Sequence, residues 1–311
     1  MTKVVKFCIL IILTLLFRSG ALAATNVGGN ITTDTTWTLA GSPYIVTSSI
    51  NAYSTSAPVL TIEPGVTVKF NQNTGITVGY NNGYTAFPGA LNAVGTAESP
   101  IVFTSNQATP TPGYWSGITF NNETVDASTV LDYVTVEYGG GNGSGNLYLT
   151  SASPTIKNCT IRKSSTSGIS AASSSAIIQD STILDNSSYG IYSSSSPLTI
   201  TGNTISNNGS YGLYDTGSAA LISGNTFSGN ASYPVRMSIN RTGNTNTYGT
   251  NGTNAIEVVG GTISQSLTVK NQSLPYVITS TINAYSTSAP VLTIEPGVTV
   301  SGDLHLQDLL L

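Results

Sequence analysis

The chain has 311 residues, with ten Lys and Arg against fourteen Asp and Glu, and only 8% of its residues are charged. That balance argues against a nucleic-acid partner or an anionic membrane surface, because both need clustered positive charge. Val, Ile, Leu and Tyr recur among Ser, Thr, Asn and Gly, a composition that favours strands and turns. No window after the first residues keeps a 3.6-residue apolar rhythm, so almost no helix is expected there.

Residues 1–23 read as a signal peptide. Lys3 and Lys6 precede an apolar run from Phe7 to Phe17, and Ala21-Leu22-Ala23 supplies the small residues of a cleavage site. The run is too short to remain as a membrane anchor, so the expectation is a secreted or cell-surface chain with no stable membrane insertion once the signal is removed. Removal takes Lys3, Lys6 and Arg18 and leaves seven basic residues against fourteen acidic ones. It also takes Cys8, so Cys159 stands alone and no disulfide framework is expected.

Residues 24–239 read as one repetitive module. Its clearest part lies between Ser153 and Val235, where four segments align without gaps and apolar positions recur at a constant spacing of 22. One column is Ile156, Ile178, Ile200, Ile222; a second is Ile161, Ile183, Ile205, Phe227; a third is Ile169, Ile191, Leu213, Val235. Each segment therefore predicts three short strands, stacked on those of the next segment, with Gly168, Gly190 and Gly212 in the turn before the third strand. One coil upstream, Leu131 and Val136 fit the same template at a spacing of 25, and the three extra residues fall in the flexible run Gly139–Gly145. Residues 240–254, rich in Asn, Thr and Gly, read as a linker or irregular coil.

A longer repeat follows. Ile50 to Val68 recur unchanged at Ile282 to Val300, an offset of 232, so residues 255–300 read as the start of a second, truncated copy of the module. The copies part after Val300, where Ser301-Gly302-Asp303 faces Lys69-Phe70-Asn71, and 301–311 is a divergent tail. That abrupt change predicts a cut-short or frame-shifted piece of a longer tandem array.

The pattern in Ile200-Thr201-Gly202-Asn203-Thr204-Ile205-Ser206-Asn207-Asn208 resembles the parallel β-helix repeats of the pectate-lyase-like superfamily, bacterial secreted and surface type. Upstream, Leu60-Thr61-Ile62-Glu63-Pro64-Gly65-Val66 and Trp115-Ser116-Gly117-Ile118 resemble the N-terminal coils of large surface proteins of that kind. The resemblance implies an all-β fold, a right-handed single-stranded parallel β-helix with three strands and about 22 residues per coil. It leaves activity open, because this superfamily hosts lyases, hydrolases, adhesins and passive stalks.

At a turn, Cys159, Ser181, Asn203 and Asn225 form a column that predicts a buried hydrogen-bonded ladder, with Cys159 as a space-filler rather than a reactive thiol. The lyases and glycosidases that the chain resembles use carboxylates that bind calcium or cluster as acid and base, and no two carboxylates among Asp180, Asp185 and Asp215 share a column. Two surface ion pairs are expected, Lys163 with Asp185 and Asp215 with Arg236; the second is also the weak catalytic candidate. No metal or cofactor is expected. The stronger candidate is aromatic. Tyr189, Tyr211 and Tyr233 form one column, and Tyr192 and Tyr214 form another that continues into Arg236. Alternation along a strand turns Tyr192, Tyr214 and Arg236 outward, where they could stack on a sugar ring with Asp215 and Asn208 nearby as hydrogen-bonding groups. The stack could equally serve only to stabilise the rod. The expected role is therefore a structural or interaction module, adhesin-like or an envelope rod, with a polysaccharide or cell-surface glycan as partner; the alternatives are a polysaccharide lyase or glycoside hydrolase, and a non-catalytic carbohydrate-binding protein.

Overall fold

The computed structural model describes residues 23–216, 220–242, 244–283 and 289–302. The expected signal peptide, apart from its last residue, and the tail from 303 onward lie outside the described residues. None of the described helices is long and apolar enough to cross a membrane. The chain winds into an all-β parallel solenoid of about 12 turns with about 22 residues per coil.

The three predicted columns are the three faces of this rod. Thr155–Lys157, Ile177–Gln179, Thr199–Thr201 and Leu221–Ser223 stack in parallel, pairing Ile156 with Ile178, Ile178 with Ile200 and Ile200 with Ile222. The second strands pair Ile161, Ile183, Ile205 and Phe227 in succession, and the third strands pair Ile169, Ile191, Leu213 and Val235. All twelve side chains are fully buried. A short, regular period with an apolar residue on each strand thus produces one continuous core, and each buried Ile or Leu contributes about 1.5–3 kcal/mol. The turn before the third strand needs glycine because a Cβ at Gly190 would run into the carbonyl oxygen of Gly212. Cβ atoms at Gly168 and Gly212 would meet the same obstacle one coil on either side.

Two asparagine ladders hold the turns. In the first, Asn203 Nδ2 donates to Asn225 Oδ1 at 2.9 Å and to the carbonyl of Ile178, while Asn225 Nδ2 reaches Asn246 Oδ1 at 3.0 Å. Ser181 and Cys159 occupy the upstream positions, and the Cys159 amide donates to Ser181 Oγ. The second ladder runs Asn186, Asn208, Asn230, Asn251, each amide group donating to the next oxygen at 2.9 Å. Buried polar turns are tolerated because every rung is paired. The Cys159 thiol is buried, and burial pushes its pKa up to about 12. It therefore stays protonated at pH 8, and a thiol reagent such as DTNB is expected to label it only after unfolding. Labelling of the folded chain at the rate of a free thiol would contradict this placement.

The described residues of the 240–254 stretch belong to the rod. Thr247–Tyr248 pairs with Thr226–Ser228, and Asn246 and Asn251 continue the two ladders at a spacing of 21, one short of the regular coil. Their Asn-rich composition is that of a ladder coil, which is why it reads as a linker when apolar rhythm alone is sought. The second copy then repeats the first. Thr35 pairs with Leu60 and Leu267 with Leu292; Tyr44 pairs with Val68 and Tyr276 with Val300. Glu63 Oε2 accepts from the Leu39 amide and Glu295 Oε2 from the Asn271 amide, both at 2.8 Å. Asp34 Oδ1 holds the amide of Val59 in the first copy, and Ser266 Oγ holds that of Val291 in the second. Val235–Ser238, Ile256–Val259 and Tyr276–Ile278 pair in succession, so one module passes into the next by coil stacking.

Candidate functional site

The tyrosine columns lie on the outer face of the third strands and on the turn before them. Tyr192 pairs with Tyr214 and Tyr214 with Arg236, and the register continues from Arg236 to Glu257. Because Ile191, Leu213 and Val235 point into the core, alternation leaves these four side chains on the outer face. Tyr192 and Tyr214 stack with ring centroids 5.7 Å apart and planes within 15°. Tyr189 lies 5.2 Å from Tyr214, Tyr211 meets Tyr214 edge-on at 5.2 Å, and Tyr211 stacks on Tyr233 at 5.5 Å. The five rings form one half-buried aromatic surface.

Its lower end is anchored by charge. The Arg236 guanidinium sits 4.4 Å from the Tyr214 ring centroid, and its Nε donates to Glu257 Oε1 at 3.2 Å. Glu257 Oε2 accepts from the Tyr211 hydroxyl at 2.8 Å. Burial, and then the adjoining Glu257 carboxylate, push the Tyr211 pKa well above the usual phenol range. Burial and the neighbouring Tyr214 also raise that of Tyr189. These tyrosines are neutral hydrogen-bonding groups at any ordinary pH.

Two expected neighbours of this face turn inward. Asp215 is fully buried and accepts a hydrogen bond from Ser193 Oγ at 3.0 Å; Arg236 donates to its main-chain oxygen, at 3.3 Å. The expected Asp215–Arg236 surface pair is therefore replaced by Arg236–Glu257. The reason is strand parity: Asp215 is two residues from the core residue Leu213 and shares its face. Asn208, expected beside the tyrosines, is only 1% exposed and has its amide group taken up by the second ladder. Lys163 likewise turns to the hydroxyl of Tyr138, at 3.1 Å, rather than to Asp185. Among the described residues no three His, Cys, Asp or Glu converge on a point where a metal ion could bind.

The same face continues upstream to residues that were not anticipated. Tyr148 pairs with Ser170 and Ser170 with Tyr192, so a small residue separates two outward tyrosines. Over Ser170 lies an open notch of about 570 Å³, walled by Tyr148 and Tyr192, with Tyr189, Thr166 and the Gly143-Ser144 loop at its sides. The signal is present in the sequence, since Tyr148, Ser170 and Tyr192 keep the regular spacing of the coils. Glu257 is hidden there because its distance from Arg236 falls one short of that spacing.

Comparison with known proteins bears on the rod, not on this face. One family model, described as right handed beta helix region, matches residues 142–295, and a second, described as pectate-lyase like beta helix domain, matches residues 29–123. No curated protein and no solved structure matches the chain. With both models and the parallel coils in agreement across most of its length, the chain belongs to the right-handed parallel β-helix repeat proteins of the pectate-lyase-like type.

Proposed function

We propose that the chain is a secreted or cell-surface structural and interaction module, a rod of adhesin or envelope type whose tyrosine face makes weak contacts with glycans. The observation that carries this reading is the contrast between the outer and inner faces of these strands. Tyr192 and Tyr214 are presented outward as stacked rings, whereas the carboxylate of Asp215, the candidate acid for lyase chemistry, is buried against Ser193. Arg236 is held by Glu257 and by the Tyr214 ring, which suits an anchor for the aromatic surface better than a proton acceptor. Stacked aromatic rings with hydroxyls at their edges offer apolar planes and hydrogen bonds together, the combination that sugar rings use.

Continuous coil stacking between the two copies supports a role in which length matters, because each added module lengthens the same core. The purified chain, incubated with neutral and acidic polysaccharides, is expected to release neither new reducing ends nor unsaturated sugar ends. Steady release of either product above a heat-denatured control would overturn the non-catalytic reading.

A further inference from the structure

We infer that the notch over Ser170 is a binding subsite for a single neutral pyranose ring, entering from the side as a chain end or a branch. This rests on the proposed glycan contact and goes further, because it names the seat, the charge and the direction of approach.

The geometry sets the size. Tyr148 and Tyr192 stand two coil steps apart on the same outward column, roughly 9–10 Å along the rod. Ser170 fills only the floor between them, which leaves a gap wide enough for one sugar ring to lie on the Tyr192 plane with Tyr148 opposite. Tyr192 is braced from behind by Tyr214 at 5.7 Å and from the side by Tyr189 at 5.6 Å, so this wall is preformed. The notch is closed at both ends along the rod by these rings. A polymer lying along the rod would have to climb over Tyr192, whereas a terminal or branching sugar can enter radially.

The lining sets the chemistry. Beyond the tyrosines it consists of Ser, Thr, Gly and Ala, with no charged side chain, which suits a neutral, hydroxyl-rich ligand. Thr166, on its wall, carries a buried hydroxyl oxygen without a hydrogen-bond partner, and it is the side-chain atom in that condition among the described residues. This unsatisfied hydroxyl gains a partner if a change of rotamer brings it to the notch, where a sugar hydroxyl can pair with it.

Ligand-observed saturation-transfer NMR on the whole chain tests the subsite, with methyl pyranosides of glucose, galactose, mannose and N-acetylglucosamine as neutral probes and galacturonate as the acidic one. At least one neutral probe should receive saturation. Ser170→Tyr, which continues the ladder already formed by Tyr192 and Tyr214, should weaken that binding about tenfold or more while leaving the melting temperature unchanged. Tyr84→Phe, on an exposed loop outside the notch, should preserve it. Saturation that survives Ser170→Tyr overturns the subsite but leaves the tyrosine face standing as a glycan surface. Binding of galacturonate in preference to the neutral probes overturns the assignment of charge, and no transfer to any probe overturns the subsite outright.

Discussion

Replacing Asn208 by Ala is expected to lower the free energy of unfolding by about 3 kcal/mol, because several buried groups lose their partners at once. The side chain accepts from both nitrogens of Asn186 and donates to the carbonyl of Ile183 and to Asn230 Oδ1. Each buried group left unpaired costs about 1–3 kcal/mol, and small shifts of the turn recover part of that. Asn208→Ser should cost roughly half as much, since in the other ladder a hydroxyl serves as a rung at Ser181, where it accepts the amide of Cys159 and donates to the carbonyl of Gln179. Urea unfolding followed by circular dichroism would measure both variants. An Asn208→Ala protein as stable as the parent would mean that the residue is a surface group, as its nearness to the tyrosines in sequence suggests.

Glu257→Ala should have a comparable effect, about 3 kcal/mol, because it leaves Arg236 without its carboxylate in a largely buried setting. The side chains of the pair are only 18% and 11% exposed, so solvent screening does not cancel the interaction. The same carboxylate accepts from Tyr211, so its loss also frees the ring that meets Tyr214 edge-on. Two readouts follow: a lower urea midpoint, and a fall in the Tyr211 pKa towards the ordinary phenol value, seen by ultraviolet titration. If the midpoint stays within the error of the parent, Arg236 and Glu257 are a solvated surface pair. The pair Arg162–Glu137 provides a partial contrast: its carboxylate is 12% exposed, close to that of Glu257, but its arginine is 39% exposed, so solvent screens it more and a smaller loss is expected on its removal.

The rod was legible because its determinants are local and periodic. Ile156, Ile161 and Ile169 recur at the same interval in coil after coil, and hydrophobic burial alone then places three inward residues on three faces. The first ladder was legible for the same reason. The second ladder carries an equally regular signal in Asn186, Asn208 and Asn230, and Asn208 suggests a surface group only when its proximity to the tyrosines is weighed before its column. Asp215 shows the same lesson at the scale of one strand. The parity that turned Tyr214 outward also turned Asp215 inward, and a diagonal pairing with Arg236 cannot override it.

What stayed hidden depended on departures from the period. Shortening of the coil by one residue after Val235 brings Glu257 opposite Arg236, and a search at fixed spacing looks past it. Residues 240–254 lack apolar rhythm, but their asparagines carry the ladders across the boundary between copies. The notch over Ser170 is defined by a missing ring rather than by a motif, so it emerges only when Tyr148 is placed on the same column.

Affinity electrophoresis tests the tyrosine face most directly, comparing the parent chain with a Tyr192→Ala/Tyr214→Ala variant in gels that contain laminarin, galactomannan or polygalacturonate. The parent should be retarded in at least one of these gels, and the variant, folded by circular dichroism, should migrate as it does without polysaccharide. Equal migration of parent and variant in every gel would contradict a glycan-contacting face and leave the tyrosines as a stabilising stack.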